Sequence, residues 1–168
     1  DITPKDSTYV RKLYRDNGGK GYIAYVVVIN ERYARVETET LLHIDTAGKI
    51  LNIKKLTWKT SDAGWGYEPP AESLADAFYE SLKGKTLSDV ESLIALEENT
   101  DGLLVTGATN TSKALLGSIA EAQAAVVTAV KNDTPTSESE LKALIGEMLG
   151  GEASLTEIAP ADATYLRK

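Results

Sequence analysis

Three consecutive β-type segments, joined only by short turns, occupy residues 21–58. Residues 21–29 are rich in β-branched and aromatic side chains, which favour strands. Residues 35–44 alternate in polarity, and residues 50–58 return after a tight turn at 46–49. Tight turns connect antiparallel strands, whereas parallel strands need a long crossover connection. The sequence therefore predicts an antiparallel β-meander.

The alternation in residues 35–44 also predicts which side of that strand is buried, because successive side chains point to opposite faces of a sheet. The positions predicted to face the core are Val36, Thr38, Thr40, Leu42 and Ile44. The positions predicted to face solvent include Arg35, Glu37 and Glu39.

After a loop at residues 59–70, which is rich in Gly, Pro and aromatic residues, the apolar spacing becomes helical. The spacing predicts a helix over 74–82 that stops at Gly84, a short helix at 88–96, a short strand at 103–105 and a long amphipathic helix at 113–130. The predicted fold class is α+β, with an N-terminal antiparallel β-meander packed by C-terminal helices.

A polar segment at residues 131–136 predicts a boundary between two parts of the chain. We expect one domain over residues 1–130 and a C-terminal helical extension, residues 131–168, packed on or beside it. Ser137 and Glu140 are spaced as a capping box for a helix in the extension. Its apolar stripe consists of Leu141, Leu144, Ile145 and Met148. The stripe either packs on its own domain or docks a partner.

Composition excludes several functional classes. The 168 residues include 18 Lys and Arg and 25 Asp and Glu, a net charge of −7, so we expect no nucleic-acid partner. No run of about 18 apolar residues is present, so we expect no transmembrane segment. The chain has no Cys and only one His, His43, which removes thiolate chemistry and makes a zinc site or a Ser-His-Asp triad hard to build.

The octapeptide TGATNTSK, which begins at Thr106 and ends at Lys113, has the pattern of an anion site. Gly107 and Ala108 let a ligand approach the backbone closely, and the neighbouring hydroxyls can donate to phosphate oxygens. A helix that begins near Ser112 adds free N–H groups and the positive end of its dipole. The alternative interpretation is a hydroxyl-rich helix cap after a turn.

TGATNTSK resembles the flavin-attachment signature of the FMN-binding domain family, which is found in the C subunit of the sodium-pumping NADH:quinone reductase and in the G subunit of the Rnf complex. Two further segments resemble that family in the same order. Residues 44–53, IDTAGKILNI, match the end of its meander, and residues 61–66, SDAGWG, stand where the family usually has ETPGLG. The resemblance covers about residues 12–130, so the first domain is FMN-binding-like.

The resemblance implies a role for each matching residue. Thr109 is the position to which the family attaches FMN through a phosphoester, and Thr106, Gly107 and Ala108 shape its turn. By the same resemblance, Thr111 and Ser112 hold phosphate oxygens. The loop of Gly64, Trp65 and Gly66 lies near the isoalloxazine ring, although Trp65 is as readily explained as an aromatic residue that packs the loop onto the core.

The family also implies a biological setting. We expect a redox carrier domain of an oxidoreductase system rather than a stand-alone enzyme, with a flavin transferase that uses FAD as its maturation partner. Its other partners would be redox proteins or membrane redox subunits. The expected location is extracytoplasmic, with an anchor that precedes Asp1.

Two departures from the family pattern support an alternative. Leu103 stands six places before Thr109, where the family usually has an acidic or amide residue, and Ser61 and Ala63 replace the usual Glu and Pro. The alternative is a secreted or membrane-anchored interaction domain of the same fold that has lost flavin. A further alternative is non-covalent FMN binding at the same turn.

Other polar residues give weaker candidates. His43 is predicted on the same strand face as Glu37 and Glu39, where a histidine needs no function. Asp62 and Glu68 flank the loop and could act as paired carboxylates, although solvated or capping carboxylates are commoner. A hydrolase would need a base beside a hydroxyl nucleophile, and the single His is distant in sequence from the Thr/Ser cluster.

Overall fold

The computed structural model describes residues 2–16, 18, 20–31, 35–60, 72–96 and 103–133. Within these residues, an N-terminal four-stranded antiparallel sheet is followed by three helices. The strands are β1, Val10–Arg15; β2, Tyr22–Asn30; β3, Arg35–Ile44; and β4, Ile50–Trp58, in the spatial order β1-β2-β3-β4. The α+β fold with an N-terminal meander is therefore confirmed.

Strand β1 was not predicted from the sequence. Its two buried residues, Val10 and Leu13, are three positions apart. The register with β2 shifts between Val10 and Lys12, where a bulge interrupts the pairing. A bulge adds one residue to a strand, so it removes the two-residue alternation by which a strand is recognised.

The helices are α1, Glu72–Ser81; α2, Leu87–Ile94; and α3, Thr109–Asp133. The chain turns between α1 and α2 at Gly84, whose φ of 81° is left-handed. α2 then begins with a capping box, in which Thr86 and Asp89 satisfy each other's backbone N–H groups. The predicted strand at 103–105 is wrong, because this segment forms no ladder, although Leu104 and Val105 are buried.

The core lies between one face of the sheet and the three helices. α3 contributes an apolar face on which Leu115, Leu116, Ile119, Ala122 and Val126 are all fully buried. One end of the interface is fixed by Gln123, whose side-chain amide donates to the carbonyls of Gly48 and Lys85 at 2.7 and 3.2 Å. These contacts tie α3 to the turn between β3 and β4 and to the segment between α1 and α2.

By length and composition alone, residues Thr109–Asn132 of α3 could cross a membrane, with a mean hydropathy of 1.3 in their most apolar window. In this fold the same residues form the helix that covers the sheet. The apolar composition of α3 thus has an explanation within the core.

The alternation predicted for β3 is correct at Thr38, Thr40, Leu42 and Ile44 but wrong at Glu37, whose side chain is 5% exposed. The register explains the difference. Thr38 pairs with Val28 and Val36 pairs with Ile29, so Glu37 is an extra residue in a β-bulge. A bulge can redirect a side chain away from the face that simple alternation assigns to it.

A compact unit extends from the N-terminus to Asp133. Residues 134–168, including Ser137, Glu140 and the stripe from Leu141 to Met148, lie outside the described residues. The division into a domain at 1–130 and an extension at 131–168 therefore stays a prediction.

Candidate functional site

The turn that precedes α3 exposes backbone to solvent. The Ala108 N–H donates to the Val105 carbonyl at 2.9 Å, which closes the turn around Thr106 and Gly107. Both of these residues are exposed, whereas Ala108 is buried, with only 3% of the residue exposed. Gly107 has a φ of 77°, and a Cβ built on it meets no atom within 4 Å. Glycine is therefore required here by the backbone conformation rather than by crowding.

α3 begins four residues earlier than its apolar spacing predicts, so Thr109 lies within the helix as its first residue. The first intrahelical bond runs from the Ser112 N–H to the Ala108 carbonyl at 2.9 Å. The N–H groups of Thr109, Asn110 and Thr111 consequently have no acceptor within the helix. They carry the positive end of the helix dipole and point towards the turn.

Thr111 and Ser112 are buried, with 1% and 0% of the residue exposed, and their hydroxyls bond within the protein. Ser112 Oγ donates to the Ala108 carbonyl at 3.0 Å and accepts the Val105 N–H at 3.1 Å. Thr111 Oγ1 donates to Glu37 at 2.7 Å. Each hydroxyl hydrogen is thus used within the protein, and these side chains stabilise the turn from below.

Glu37 contributes to the site, although the alternation of residues 35–44 predicts that its side chain faces solvent. The β3 bulge brings its carboxylate to Thr111, 74 positions later in the chain, in a buried contact. Its backbone carbonyl also accepts the Lys59 N–H at 2.8 Å, which ties β3 to the end of β4. Alternation in the sequence carries no signal of the bulge, so only the pairing register reveals this contact.

The hydroxyls of Thr106 and Thr109 differ from those below the turn. Thr106 is exposed and Thr109 is half-buried, and neither hydroxyl bonds to any residue that the structure describes. Asn110 is also exposed, so the solvent side of the turn presents hydroxyls, an amide and backbone N–H groups that bond to no described residue. This arrangement can donate several hydrogen bonds to one anion.

A groove of about 250 Å³ begins beside this turn. Its lining includes Thr106 and Leu103 from the segment before α3, Ala77 and Phe78 from α1, and Leu93 from α2. Leu103 is 46% exposed at the edge of the groove. The departure from the family pattern at Leu103 thus puts an apolar side chain beside the turn.

No protein-family model matches this chain, and no curated protein sequence matches it.

The other predicted candidates lie elsewhere. Gly64, Trp65 and Gly66 are outside the described residues, as are Ser61, Asp62, Ala63 and Glu68. His43 is half-buried, and its Nε2 lies 3.5 Å from the Asp16 carboxylate at the hairpin between β1 and β2. No contact joins His43 to the turn before α3 among the described residues.

Glu39 belongs to a separate polar cluster on the open face of the sheet. Its carboxylate accepts hydrogen bonds from the hydroxyls of Thr57 at 2.5 Å and Tyr25 at 2.6 Å. These two bonds, that of Thr57 first, hold the pKa of Glu39 below its usual value. The cluster links three neighbouring strands, which indicates a structural role.

The residues around Thr109 fit a phosphate group on the solvent side of the turn. Open space lies beside Gly107, where a Cβ would meet no atom within 4 Å, and the nearby Thr106 and Asn110 are exposed. Glu37 is buried and bonds to the Thr111 hydroxyl, so its carboxylate does not lie on the exposed face of the turn. An anion can therefore bind to the free N–H groups of the first turn without entering the core.

Proposed function

We propose that this protein is an electron-transfer flavoprotein domain that carries one FMN, joined through its phosphate to Thr109. The observation that carries the proposal is the setting of Thr109. It is the first residue of a 25-residue helix and directly follows a turn with a left-handed glycine. It belongs to the first turn, whose N–H groups have no acceptor within the helix, and the TGATNTSK resemblance assigns it the role of flavin acceptor.

The attachment step uses FAD and a flavin transferase as partner. The Thr109 oxygen forms a bond to the FMN phosphorus of FAD, the bond between that phosphorus and the AMP oxygen breaks, and AMP leaves. The hydroxyl proton passes to solvent. The N–H groups of Thr109 and Asn110 would then hold the phosphate oxygens, with the Thr106 hydroxyl as an additional donor.

Thr111 and Ser112 take a different role from the one that the resemblance implies. Since their hydroxyl hydrogens are donated to Glu37 and to the Ala108 carbonyl, they fix the geometry of the turn. We propose that they orient the N–H groups which bind the phosphate, while the phosphate itself contacts the solvent side. Gly107 and Ala108 allow its close approach to the backbone.

A flavin held in this way supplies reversible uptake of one or two electrons. The protein would position it and tune its reduction potential, and other redox proteins or membrane redox subunits would exchange electrons with it. The expected location is extracytoplasmic. The net charge of −7 favours weak, transient docking to positively charged carriers.

A second candidate is an interaction domain of the same fold that carries no flavin. The exposed, apolar Leu103 favours it, because a transferase that recognises a polar residue six places before the acceptor would find none. A third candidate, between covalent attachment and the absence of flavin, is reversible FMN binding at the same turn.

Intact mass after co-expression with a flavin transferase, in an exported form, separates these candidates. We expect wild type to gain the mass of FMN minus water and Thr109→Ala to gain nothing. Thr109→Ser should retain flavin, since it keeps the hydroxyl. Yellow colour that is released on denaturation would indicate reversible binding instead. A colourless, unmodified wild-type chain would favour the interaction domain.

A further inference from the structure

The groove beside the turn has the chemistry of a site for a planar, mostly apolar group. α1, α2 and the segment before α3 each line one side of it. Phe78 and Leu93 are nearly buried and form its apolar interior, whereas Leu103 and Ala77 lie exposed at its edge. Pockets that enclose a whole ligand usually measure about 300–1,000 Å³, so a groove of about 250 Å³ suits a ring that is covered on one side only.

Among the described residues that line this groove, Lys85 is the one charged residue. It lies between α1 and α2 and is half-buried, and its backbone is fixed by hydrogen bonds from Ile50 and Gln123 to its carbonyl. The charge of Lys85 also acts on Asp89 of α2, but Asp89 is exposed, so solvent screens that interaction. The groove therefore combines an apolar surface with one cationic group.

The position of the groove relates it to the proposed phosphate site. Thr106 lines the groove and also borders the turn, three residues before Thr109. A phosphate at the start of α3 and a ring in the groove thus become two ends of one ligand.

We propose that the groove between α1, α2 and residues 103–106 receives the isoalloxazine ring of the flavin, and that Lys85 stabilises the reduced ring. This inference rests on the proposed function for the covalent link at Thr109, and it adds where the ring lies and what sets its potential. Reduction by two electrons from redox partner proteins, with uptake of one proton, adds one negative charge to the site. The Lys85 ammonium lowers the free energy of that charge.

The position of the ring is tested first on the unloaded chain, by the amide shifts that ligands cause in ¹⁵N NMR spectra. We expect inorganic phosphate to perturb only the amides of residues 109–111. FMN should perturb these and also Ala77, Lys85 and residues 103–106. Ala77→Trp, which fills the groove from its exposed edge, should remove the second set of shifts and keep the first. FMN shifts confined to the first turn of α3, or absent from both places, would overturn the inference.

The role of Lys85 is tested by the midpoint potential of the loaded protein. An opposite charge close to a titrating group commonly shifts its equilibrium by about one unit or more. We expect Lys85→Gln to weaken stabilisation of the reduced form about tenfold, which lowers the two-electron potential by about 30 mV. The matched control is Lys83→Gln. Lys83 is two residues away, bonds to Glu80 at 2.8 Å and is not among the residues that line the groove. The midpoint potential of the Lys83→Gln protein should therefore equal that of wild type.

Equal potentials for the Lys85→Gln and Lys83→Gln proteins would overturn the role of Lys85. If wild type acquires no covalent flavin, the same two variants are compared by their affinity for dithionite-reduced FMN relative to oxidised FMN. Groove shifts with FMN but no covalent loading would refute the proposed attachment and keep the ring site. Covalent loading without groove shifts would support the proposed attachment and refute the ring site.

Discussion

At the scale of single residues, the contact between Glu37 and Thr111 links the sheet to the first turn of α3. Both side chains are almost fully buried, and the hydrogen bond between them is 2.7 Å long. A buried polar group that loses its partner costs about 1–3 kcal/mol, because it cannot recover its bond to water. The pair therefore stabilises the turn that carries Thr109 as well as the fold.

A double-mutant cycle tests this pair. We expect Glu37→Ala and Thr111→Val each to lower the free energy of unfolding by about 1–3 kcal/mol. The double variant should lose less than the sum, since each single change leaves one group unpaired. Urea unfolding gives the free energy of unfolding of wild type, the two single variants and the double variant. Strict additivity would show that the two side chains are energetically independent.

Two glycines are expected to respond in opposite directions to alanine. A Cβ on Gly21 would lie 2.0 Å from the Ile44 carbonyl oxygen, and its φ is 151°, so Gly21→Ala should cost about 2 kcal/mol or more. A Cβ on Gly117, inside α3, meets nothing within 4 Å. Gly117→Ala should stabilise the protein by about 0.5–1 kcal/mol, because alanine favours a helix. Thermal unfolding of both variants checks the two signs.

At the scale of elements, an N-terminal strap, residues 2–9, joins β1 to α3. Glu121 of α3 accepts hydrogen bonds from the Ser7 hydroxyl and from the N–H groups of Tyr9 at 2.9 Å and Val10 at 3.2 Å. Burial by itself raises the pKa of Glu121, but these hydrogen bonds outweigh it and lower that pKa below 4.5. The ionised carboxylate is the form that holds the strap.

The strap contact should make stability depend on pH. Because the pKa of Glu121 is lower in the folded protein, its contribution is fully present above pH 4.5 and is lost as the pH falls through the folded value. We expect Glu121→Gln to lower the free energy of unfolding by roughly 1 kcal/mol at pH 7. The difference from wild type should shrink towards pH 3. A difference independent of pH in urea titrations would contradict this assignment.

At the scale of the whole molecule, the described core is complete before Asp133. Its buried apolar residues run from Val10 to Val126, and the compact unit extends through Asp133. We therefore expect a chain that ends at Asp133 to fold by itself and to unfold in one cooperative transition. Circular dichroism during urea unfolding tests this. A chain 1–133 without a cooperative transition would show that its core is insufficient.

The sequence by itself determined the elements whose residues repeat regularly. β3 and the three helices follow from periods of two and of 3.6 residues, which reflect local backbone geometry. β2 follows from its β-branched and aromatic residues, and β4 from its place after a tight turn. It also located the turn before α3, because glycine and hydroxyl residues have strong local preferences. These elements and this turn are determined by residues that are close to one another in the sequence.

Only the tertiary structure decided what depends on pairing and packing. A bulge lets Val10 and Leu13 of β1 both be buried although they are three positions apart in sequence. A second bulge turns Glu37 towards Thr111. The hydroxyls of Thr111 and Ser112, which look like ligand donors in the sequence, face inward because α3 lies against the sheet. The groove with Lys85 exists because segments distant in sequence meet there. The physical reason is that the register of paired strands and the partners of a buried polar group are set by residues far along the chain.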